Sequence, residues 1–438
     1  MLAPRRLATL AAALLAAACA HRPSSPPALV AVRVLAINDL HGQLEPGKQV
    51  DGAPAGGAAV LASWLREARA GREAATLLLS AGDLVGASPP VSSLLQDEPT
   101  VSFLGQLANE RCAPVAPERR SDPAALARDA RCDVVATLGN HELDRGIAEL
   151  RRLALGGDHA RGPFLESPWP GARFPFVSAN VVDARTGRPV FPASVVREVG
   201  GVRVGIVGAV LSGVADLTTA DAVEGLAFPD PAEAVNREVR ALAAEGVHAI
   251  VVLLHEGGRQ ERYAGPTRDD APAPTGPIAA LVARLDGDVD VVVSGHAHAF
   301  TNARLPNAAG RPVLVTQALS AGTAFARIEL DVDARTDEVV TSTAEIVIAR
   351  ADVGPGRAPD ARAAALVAAA QRKVVPIVDR VVASAARPIR RANVPLVDGD
   401  AGESALGDLI ADSFRSVLGA DAALSSPAPC ARISPRGR

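Results

Sequence analysis

Residues able to bind metal ions recur along this sequence, each time directly after a short apolar run. Each of these runs is typical of a buried strand, and in an open α/β sheet ligands collect at the ends of the strands. Five separate runs end in this way. We therefore expect the side chains that follow them to form one site: Asp39, His41, Asp83, Asn140, His255, His296 and His298.

These seven side chains are four imidazoles, two carboxylates and one amide. Imidazole donors favour Zn, Mn, Fe or Co over Ca or Mg. Seven donors are too many for one tetrahedral ion, and they fit two divalent ions about 3.5–4 Å apart, the geometry of two-metal hydrolysis. Asp83 has two oxygens and can bridge the pair. Asp39 and His41 alternate along a predicted strand end, as do His296 and His298, so we expect each pair to share one face.

Each residue also has a simpler interpretation when it is taken singly. A lone histidine in a strand is more often a core residue than a ligand, and we assign His159 and His248 to that class. Asp39 or Asp83 alone would serve equally well as a turn or helix-capping residue. The set decides between the two interpretations, because D-x-H, G-D, G-N-H-E and G-H-x-H follow successive strand ends in that order.

The segments INDLHG, SAGDLVGASP, TLGNHELDRG, LLHEGG and SGHAHA resemble the five blocks of calcineurin-like metallophosphoesterases, and more narrowly those of the 5′-nucleotidase branch. The resemblance covers residues 31–345 and, more weakly, the segment ESALGDLIADSFR. It implies a four-layer α/β/β/α sandwich over residues 31–350, a linker with a helix over 351–375, and a partial C-terminal α+β domain over 376–438.

The resemblance also implies roles for individual residues. One ion would be held by Asp39, His41, Asp83 and His298, and the other by Asp83, Asn140, His255 and His296. Asn140 and His141 would contact the substrate, and His141 and Asp144 would be catalytic. The residues themselves agree, because His141 and Asp144 lie one turn apart if a helix begins here. An imidazolium paired with a carboxylate can stabilise a transferring phosphoryl group or protonate the leaving oxygen.

The order of apolar and helical runs predicts the fold class independently. Strand-like runs alternate with Ala- and Leu-rich helical runs, which indicates an α/β fold with a largely parallel sheet covered on both faces. The later, closely spaced runs predict a second and more antiparallel sheet. After residue 350 we expect a helix over 361–372, a strand over 374–383 and an amphipathic helix over 403–418.

The N-terminus is typical of an export signal. Arg5 and Arg6 precede an apolar segment, Leu7 to Ala18, which is too short to span a bilayer, and Cys19 follows. The Ala-Ala-Ala-Cys ending resembles a bacterial lipobox. We therefore expect residues 1–19 to be a signal peptide, Cys19 to be lipidated, and residues 20–30 to be a flexible tether. The protein would be periplasmic or at the cell surface, with plain secretion as the alternative.

Charge and cysteine content restrict the partners. With 45 basic and 49 acidic residues there is no global basic field for a nucleic acid polymer, and we predict no protein partner. The membrane would be contacted only through the lipid anchor. Export permits disulfides, and we expect a bridge between Cys112 and Cys132, with two free buried thiols as the alternative.

The C-terminal segment departs from the family pattern. Gly419–Leu424 reads GADAAL, after which the family pattern expects N-G-G-x-R and a long nucleotide-binding domain. Here the following residues are rich in Pro, Ala, Arg, Ser and Cys. We interpret this tail as an out-of-frame or truncated ending, which predicts poor selectivity for nucleotides.

These features predict a two-metal hydrolase of small phosphate monoesters, above all 5′-nucleotides. The enzyme would act outside the cytoplasm, in nucleotide scavenging. Two alternatives stay open. One is a hydrolase of the same fold that acts on cyclic nucleotides, UDP-sugars or sulfur esters. The other is a truncated lipoprotein without catalytic activity.

Overall fold

The computed structural model describes residues 28–386, Ile389 and residues 404–422. They form two compact units, which divide between Val375 and Pro376. The predicted signal peptide, the lipidation site Cys19 and the tail from residue 423 onward lie outside the described residues. Leu29 and Val30, which we assigned to the tether, already belong to the first strand.

The strands of the described residues are, in chain order, β1 (Leu29–Ile37), β2 (Lys48–Val50), β3 (Ala53–Ala55), β4 (Thr76–Ser80), β5 (Val134–Thr137), β6 (Phe176–Val177), β7 (Val182–Asp183), β8 (Ser194–Val199), β9 (Val202–Val210), β10 (Leu226–Ala227), β11 (Ala249–His255), β12 (Val291–Ser294), β13 (Phe300–Pro306), β14 (Pro312–Ala318), β15 (Ala324–Asp333) and β16 (Val339–Ile348). The α-helices of the same residues are α1 (Ala58–Arg69), α2 (Pro90–Ser93), α3 (Glu98–Gln106), α4 (Pro123–Leu126), α5 (Gly146–Leu155), α6 (Pro231–Ala244), α7 (Pro277–Val282), α8 (Ala361–Val378) and α9 (Ala405–Leu418).

Two six-stranded mixed sheets form the centre of the first unit. The first sheet has the order β16-β15-β1-β4-β5-β6 and the second has the order β13-β14-β12-β11-β9-β8. In the first sheet, β1, β4, β5 and β6 are parallel. Strand β15 pairs with β1 in the antiparallel direction, and β16 pairs with β15 in the antiparallel direction. In the second, β14, β12, β11 and β9 are parallel, and only the two edge strands are antiparallel. The expected second sheet is present, but the expectation that it is more antiparallel is wrong, because each sheet has two antiparallel pairs and the late strands β15 and β16 join the first sheet.

Three apolar clusters separate four layers of structure. The cluster between the sheets includes Val34 and Leu79 from the first sheet and Val251 and Val293 from the second. A second cluster packs α1, α3 and α5 on the outer face of the first sheet, and a third packs α6 and α7 on the outer face of the second sheet. This helix–sheet–sheet–helix arrangement confirms the predicted fold class.

The predicted strand over 374–383 is wrong. Helix α8 continues through that stretch to Val378, although Pro376 lies within it. Its buried residues Ala363, Leu366, Ala370 and Val374 recur at helical spacing, so packing along this stripe overrides the preference of the β-branched valines for a strand. Among the described residues, no helix has the length and apolar character needed to cross a membrane.

Cys112 and Cys132 are joined by a disulfide bond and are fully buried. The bond closes a stretch of chain with a sequence separation of 20 residues, directly before β5. The chain-entropy model assigns about 3 kcal/mol of stability to a loop of this size.

We expect the double variant Cys112→Ala/Cys132→Ala to lose about 3 kcal/mol of unfolding free energy, because the unfolded chain regains that loop entropy. Urea unfolding followed by circular dichroism, with and without reductant, measures this loss. Reductant should shift the wild-type midpoint and leave the double variant unchanged. A wild-type midpoint that is insensitive to reductant under unfolding conditions would contradict the expectation.

Candidate metal centre

The carboxyl ends of five parallel strands, three from the first sheet and two from the second, meet at one place. The segments that follow β1, β4 and β5 carry Asp39 with His41, Asp83 and Asn140. His255 ends β11, and His296 and His298 follow β12. The structure thus brings together all seven predicted donors, and they fall into two groups that share Asp83.

The first group contains Asp39, His41, Asp83 and His298. Their ligand atoms lie within 4.8 Å of one another. The Nε2 atoms of His41 and His298 are 3.0 Å apart, and His298 Nε2 lies 3.3 Å from an oxygen of Asp39. Asp39 is fully buried, whereas 47% of the His298 side chain is exposed. This group is therefore open to solvent on the side of His298.

The second group contains Asp83, His255 and His296, with Asn140 between the two imidazoles. His255 Nε2 lies 3.2 Å from Asp83 Oδ2. The amide oxygen of Asn140 is 3.3 Å from His255 Nε2 and 3.1 Å from His296 Nδ1. The same Asp83 oxygen is 3.6 Å from His41 Nε2 in the first group, so this carboxylate lies between the groups.

These spacings fit divalent cations. Two donors about 2.1 Å from one tetrahedral ion are about 3.4 Å from each other, close to the separations of these atoms. The imidazole nitrogens also face one another and the carboxylates directly. A mixed nitrogen and oxygen donor set suits Zn, Mn, Fe or Co. The described residues thus contain a candidate metal-binding site of aspartate and histidine side chains.

The pKa values of His255 and Asp83 also indicate a cation site. Burial lowers the pKa of His255, but the Asp83 carboxylate more than reverses this and raises that pKa to about 10. Burial raises the pKa of Asp83, but His255 and His41 hold it well below its usual range. The site is negative enough to favour a positive charge on a buried imidazole, which is the environment a bound cation requires.

Backbone carbonyls fix the orientation of two imidazoles. His255 Nδ1 donates to the carbonyl of Ala81 at 2.8 Å, and His41 Nδ1 donates to the carbonyl of Gly86 at 3.0 Å. In both rings this leaves Nε2 directed at the centre. Such a second hydrogen bond is typical of metal-binding histidines, because it sets both the tautomer and the ring angle.

The predicted alternation of Asp39 and His41 along a strand is wrong. Strand β1 ends at Ile37, and both residues follow it with left-handed backbone, at φ 50° and 49°. Their N–H groups bond to the carbonyls of Gly82 and Asp83 in the segment after β4. His296 and His298 also have positive φ values, 69° and 51°, so bent backbone rather than a strand face directs these side chains.

His141 and Asp144 lie beside the first group. A 3₁₀ turn, His141–Leu143, begins directly after Asn140, and His141 Nδ1 is 2.7 Å from Asp144 Oδ2. The hydrogen bond that His141 donates to the Asp144 carboxylate raises the pKa of His141. The ring of His141 is nearly perpendicular to that of His41, with 5.0 Å between the centroids. His159 and His248 belong to neither donor group.

Three residues that support the donors were not identified from the sequence. Asn38 donates to Asp39 Oδ2 and to the carbonyl of Leu319. Gln317 accepts from the N–H of Ala297, the residue between the metal donors His296 and His298. Glu142 is buried and accepts from four N–H groups. Burial raises the pKa of Glu142 to about 7, whereas the hydrogen bonds from the four N–H groups favour its charged form. Asn38 directly precedes Asp39, and Glu142 is the last residue of the G-N-H-E motif, so these two had a local signal, whereas Gln317 had none.

Three proteins illustrate what this chain is similar to. Endonuclease YhcR from Bacillus subtilis is 32% identical over 413 residues, which are 92% of this chain and 30% of that protein. Cell wall protein Lmo0130 from Listeria monocytogenes is 31% identical over 405 residues, or 88% of this chain and 47% of that protein. The crystal structure of a 5′-nucleotidase precursor from Thermus thermophilus matches with a TM-score of 0.61 and 26% identity, covering 89% of this chain and 68% of that chain. This chain spans less than half the length of the first two proteins.

The family comparison covers the part of the chain that carries the donors. Residues 32–300 match the calcineurin-like phosphoesterase model, which is more than half of the chain and includes all seven donors as well as His141 and Asp144. The chain therefore belongs to the calcineurin-like phosphoesterases, a family of metal-dependent phosphoester hydrolases.

Proposed function

We propose that this chain hydrolyses phosphate monoesters, with 5′-nucleotides as its substrates, by means of two divalent metal ions. The observation that carries the proposal is the shared position of Asp83, whose Oδ2 faces His41 in one donor group and His255 in the other. One ion is assigned to Asp39, His41, Asp83 and His298, and the other to Asp83, Asn140, His255 and His296. Bound ions of this kind polarise phosphoryl oxygens and lower the pKa of a water molecule towards ~7.

His141 has the position and charge to act on the phosphoryl group. Asp144 occupies its Nδ1 and favours the imidazolium, which leaves Nε2–H as the donor to substrate. In this role His141 donates a hydrogen bond to a phosphoryl oxygen as negative charge develops there, or a proton to the leaving oxygen. In the same proposal, the side-chain amide of Asn140 lies next to the phosphoryl group. Asp144 does not itself reach the substrate in this proposal and acts by orienting the ring.

The substrate class is supported by the similarity to the Thermus thermophilus 5′-nucleotidase precursor. A second candidate is a phosphodiester, because the Bacillus subtilis relative is named an endonuclease. The donor set alone favours a hydrolase over an inactive lipoprotein, since every donor that the family pattern requires is present. The basic residues and apolar segment before Cys19 support export, with lipidation of Cys19 as the proposed anchor.

The direct test is phosphate release from AMP and from p-nitrophenyl phosphate, with Mn²⁺ or Zn²⁺ and with chelator. We expect chelator-sensitive turnover by the wild type and at least about a 100-fold loss in Asp83→Asn, because both donor groups lose their shared carboxylate. His248→Gln changes a histidine outside the groups and should retain wild-type turnover. Folded, metal-loaded wild type without turnover would contradict the proposal.

The same assay distinguishes the substrate classes. A panel of AMP, 2′,3′-cyclic AMP, a UDP-sugar, a thiosulfonate ester and double-stranded DNA compares kcat/KM values. Preference for AMP supports the nucleotidase proposal. Preference for the cyclic ester, the UDP-sugar, the sulfur ester or DNA assigns the same centre to the corresponding alternative. An enzyme that cleaves p-nitrophenyl phosphate but not AMP hydrolyses phosphate esters without recognising the nucleotide.

His141→Gln should lower kcat by about 100-fold or more, because the positioned acid is lost. The bound metal content, measured by atomic emission after gel filtration, should stay at the wild-type value because His141 is not assigned as a ligand. Asp144→Asn should reduce kcat by a smaller factor. Loss of metal in parallel with activity would instead make His141 a ligand.

Gly86→Ala should also reduce kcat. Gly86 has φ 82°, and a Cβ there would lie 2.6 Å from the Cβ of His141, so the His141–Asp144 pair must move. Gly52 provides the matched control, because it has φ 74° with no atom near the added Cβ. Both alanine variants carry the cost of left-handed backbone, about 1–2 kcal/mol, but only Gly86→Ala should lose turnover. Equal kcat values in the two variants would contradict this assignment.

A further inference from the structure

Glu142 joins the two segments that carry Asp83 and Asn140. Its Oε1 accepts from the N–H groups of Leu84 at 2.7 Å and Val85 at 3.3 Å. Its Oε2 accepts from the N–H groups of Asp83 at 2.9 Å and Gly139 at 2.5 Å. One buried side chain therefore holds the end of β4 against the end of β5.

The shape of the β4 segment explains why a carboxylate occupies this place. Gly82 and Asp83 both have positive φ, 85° and 50°, and the next N–H groups converge on one point. Such a concave set of N–H groups binds anions. A carboxylate has about four lone-pair positions on two oxygens, and here four N–H donors use them. A glutamine would present an NH₂ group to two of those donors.

Glu142 also restricts the direction of the Asp83 side chain. The Asp83 N–H donates to Glu142, while Asp83 Oδ1 accepts from the N–H of His141 at 3.0 Å. These two hydrogen bonds fix the backbone and one oxygen of Asp83, so that Oδ2 faces His41 and His255. On the other segment, the Gly139 N–H held by Glu142 directly precedes Asn140.

We propose that Glu142 is a positioning residue for the metal centre, which fixes the separation between the shared ligand Asp83 and the amide ligand Asn140. This inference rests on the proposed two-metal function. Glu142 itself contacts neither an ion nor the substrate. Its loss should weaken cation binding through the displacement of two ligands, and it should do so whether or not turnover is measured.

Glu98 offers a matched control for the loss of a buried carboxylate. It is fully buried, bonds to the N–H of Leu165 at 2.7 Å and pairs with Arg152 at 2.8 Å. None of its described partners is a donor of the metal centre. Glu98→Gln therefore reproduces the general cost of replacing a hydrogen-bonded buried carboxylate.

The test is Co²⁺ binding to the chelator-treated full chain, by calorimetry and by the visible absorption of bound Co²⁺. We expect Glu142→Gln to bind Co²⁺ about 10–100-fold more weakly and with a changed absorption spectrum. Glu98→Gln should bind as the wild type does. Thermal unfolding in chelator shows whether the two variants are comparably stable. Wild-type affinity in Glu142→Gln, or equal weakening in Glu98→Gln, would overturn the inference.

A conservative variant covers the case in which Glu142→Gln does not fold. Glu142→Asp keeps both oxygens on a shorter side chain, and should bind Co²⁺ more weakly than the wild type. Wild-type affinity in Glu142→Asp would then overturn the inference. A wild-type chain that binds no cation would overturn the proposed function and this inference with it, whereas intact binding in all variants would overturn this inference alone.

Discussion

Left-handed backbone at the strand ends is the constraint on which the site depends. Five of the seven donors have positive φ values between 49° and 69°: Asp39, His41, Asp83, His296 and His298. For residues other than glycine each such conformation costs of order 1 kcal/mol, and it persists only when its surroundings determine it. Those surroundings are the neighbouring segments, since the N–H of Asp39 bonds to Gly82 and that of His296 bonds to the Asp39 carboxylate. Hydrogen bonds between neighbouring segments therefore hold these side chains in one place.

The convergence of these seven side chains could be predicted because it depends on a local pattern. Parallel strands end at the same edge of a sheet, so a metal-binding side chain after each apolar run is informative without knowledge of the pairing. The same local pattern did not predict the direction of the Asp39 and His41 side chains. Alternation holds only within a strand, and Asp39 lies beyond the end of β1. The helix through Val374 was missed because burial along α8 outweighs the local preference of valine.

The supporting residues could not be predicted because their partners are distant in the sequence. Glu142 bonds to the N–H of Asp83, 59 positions away, and Asn38 bonds to Leu319, 281 positions away. In the sequence Glu142 ends the G-N-H-E motif, but the motif does not indicate which N–H groups its side chain binds. Its role becomes visible only when the segments after β4 and β5 are placed side by side. Strand ends can thus reveal candidate ligands, but the hydrogen bonds that hold these side chains depend on strand order.

The distribution of donors over both sheets links cation binding to folding. Asp39, Asp83 and Asn140 follow strands of the first sheet, whereas His255 and the two later histidines belong to the second. The sheets meet through an apolar cluster, which is non-directional and does not by itself set the separation of polar atoms. Polar contacts across the junction, such as that between His255 and Ala81, set it locally. A cation held by donors from both sheets therefore adds its binding free energy to the packing of one sheet on the other, and the fold and the centre stabilise each other.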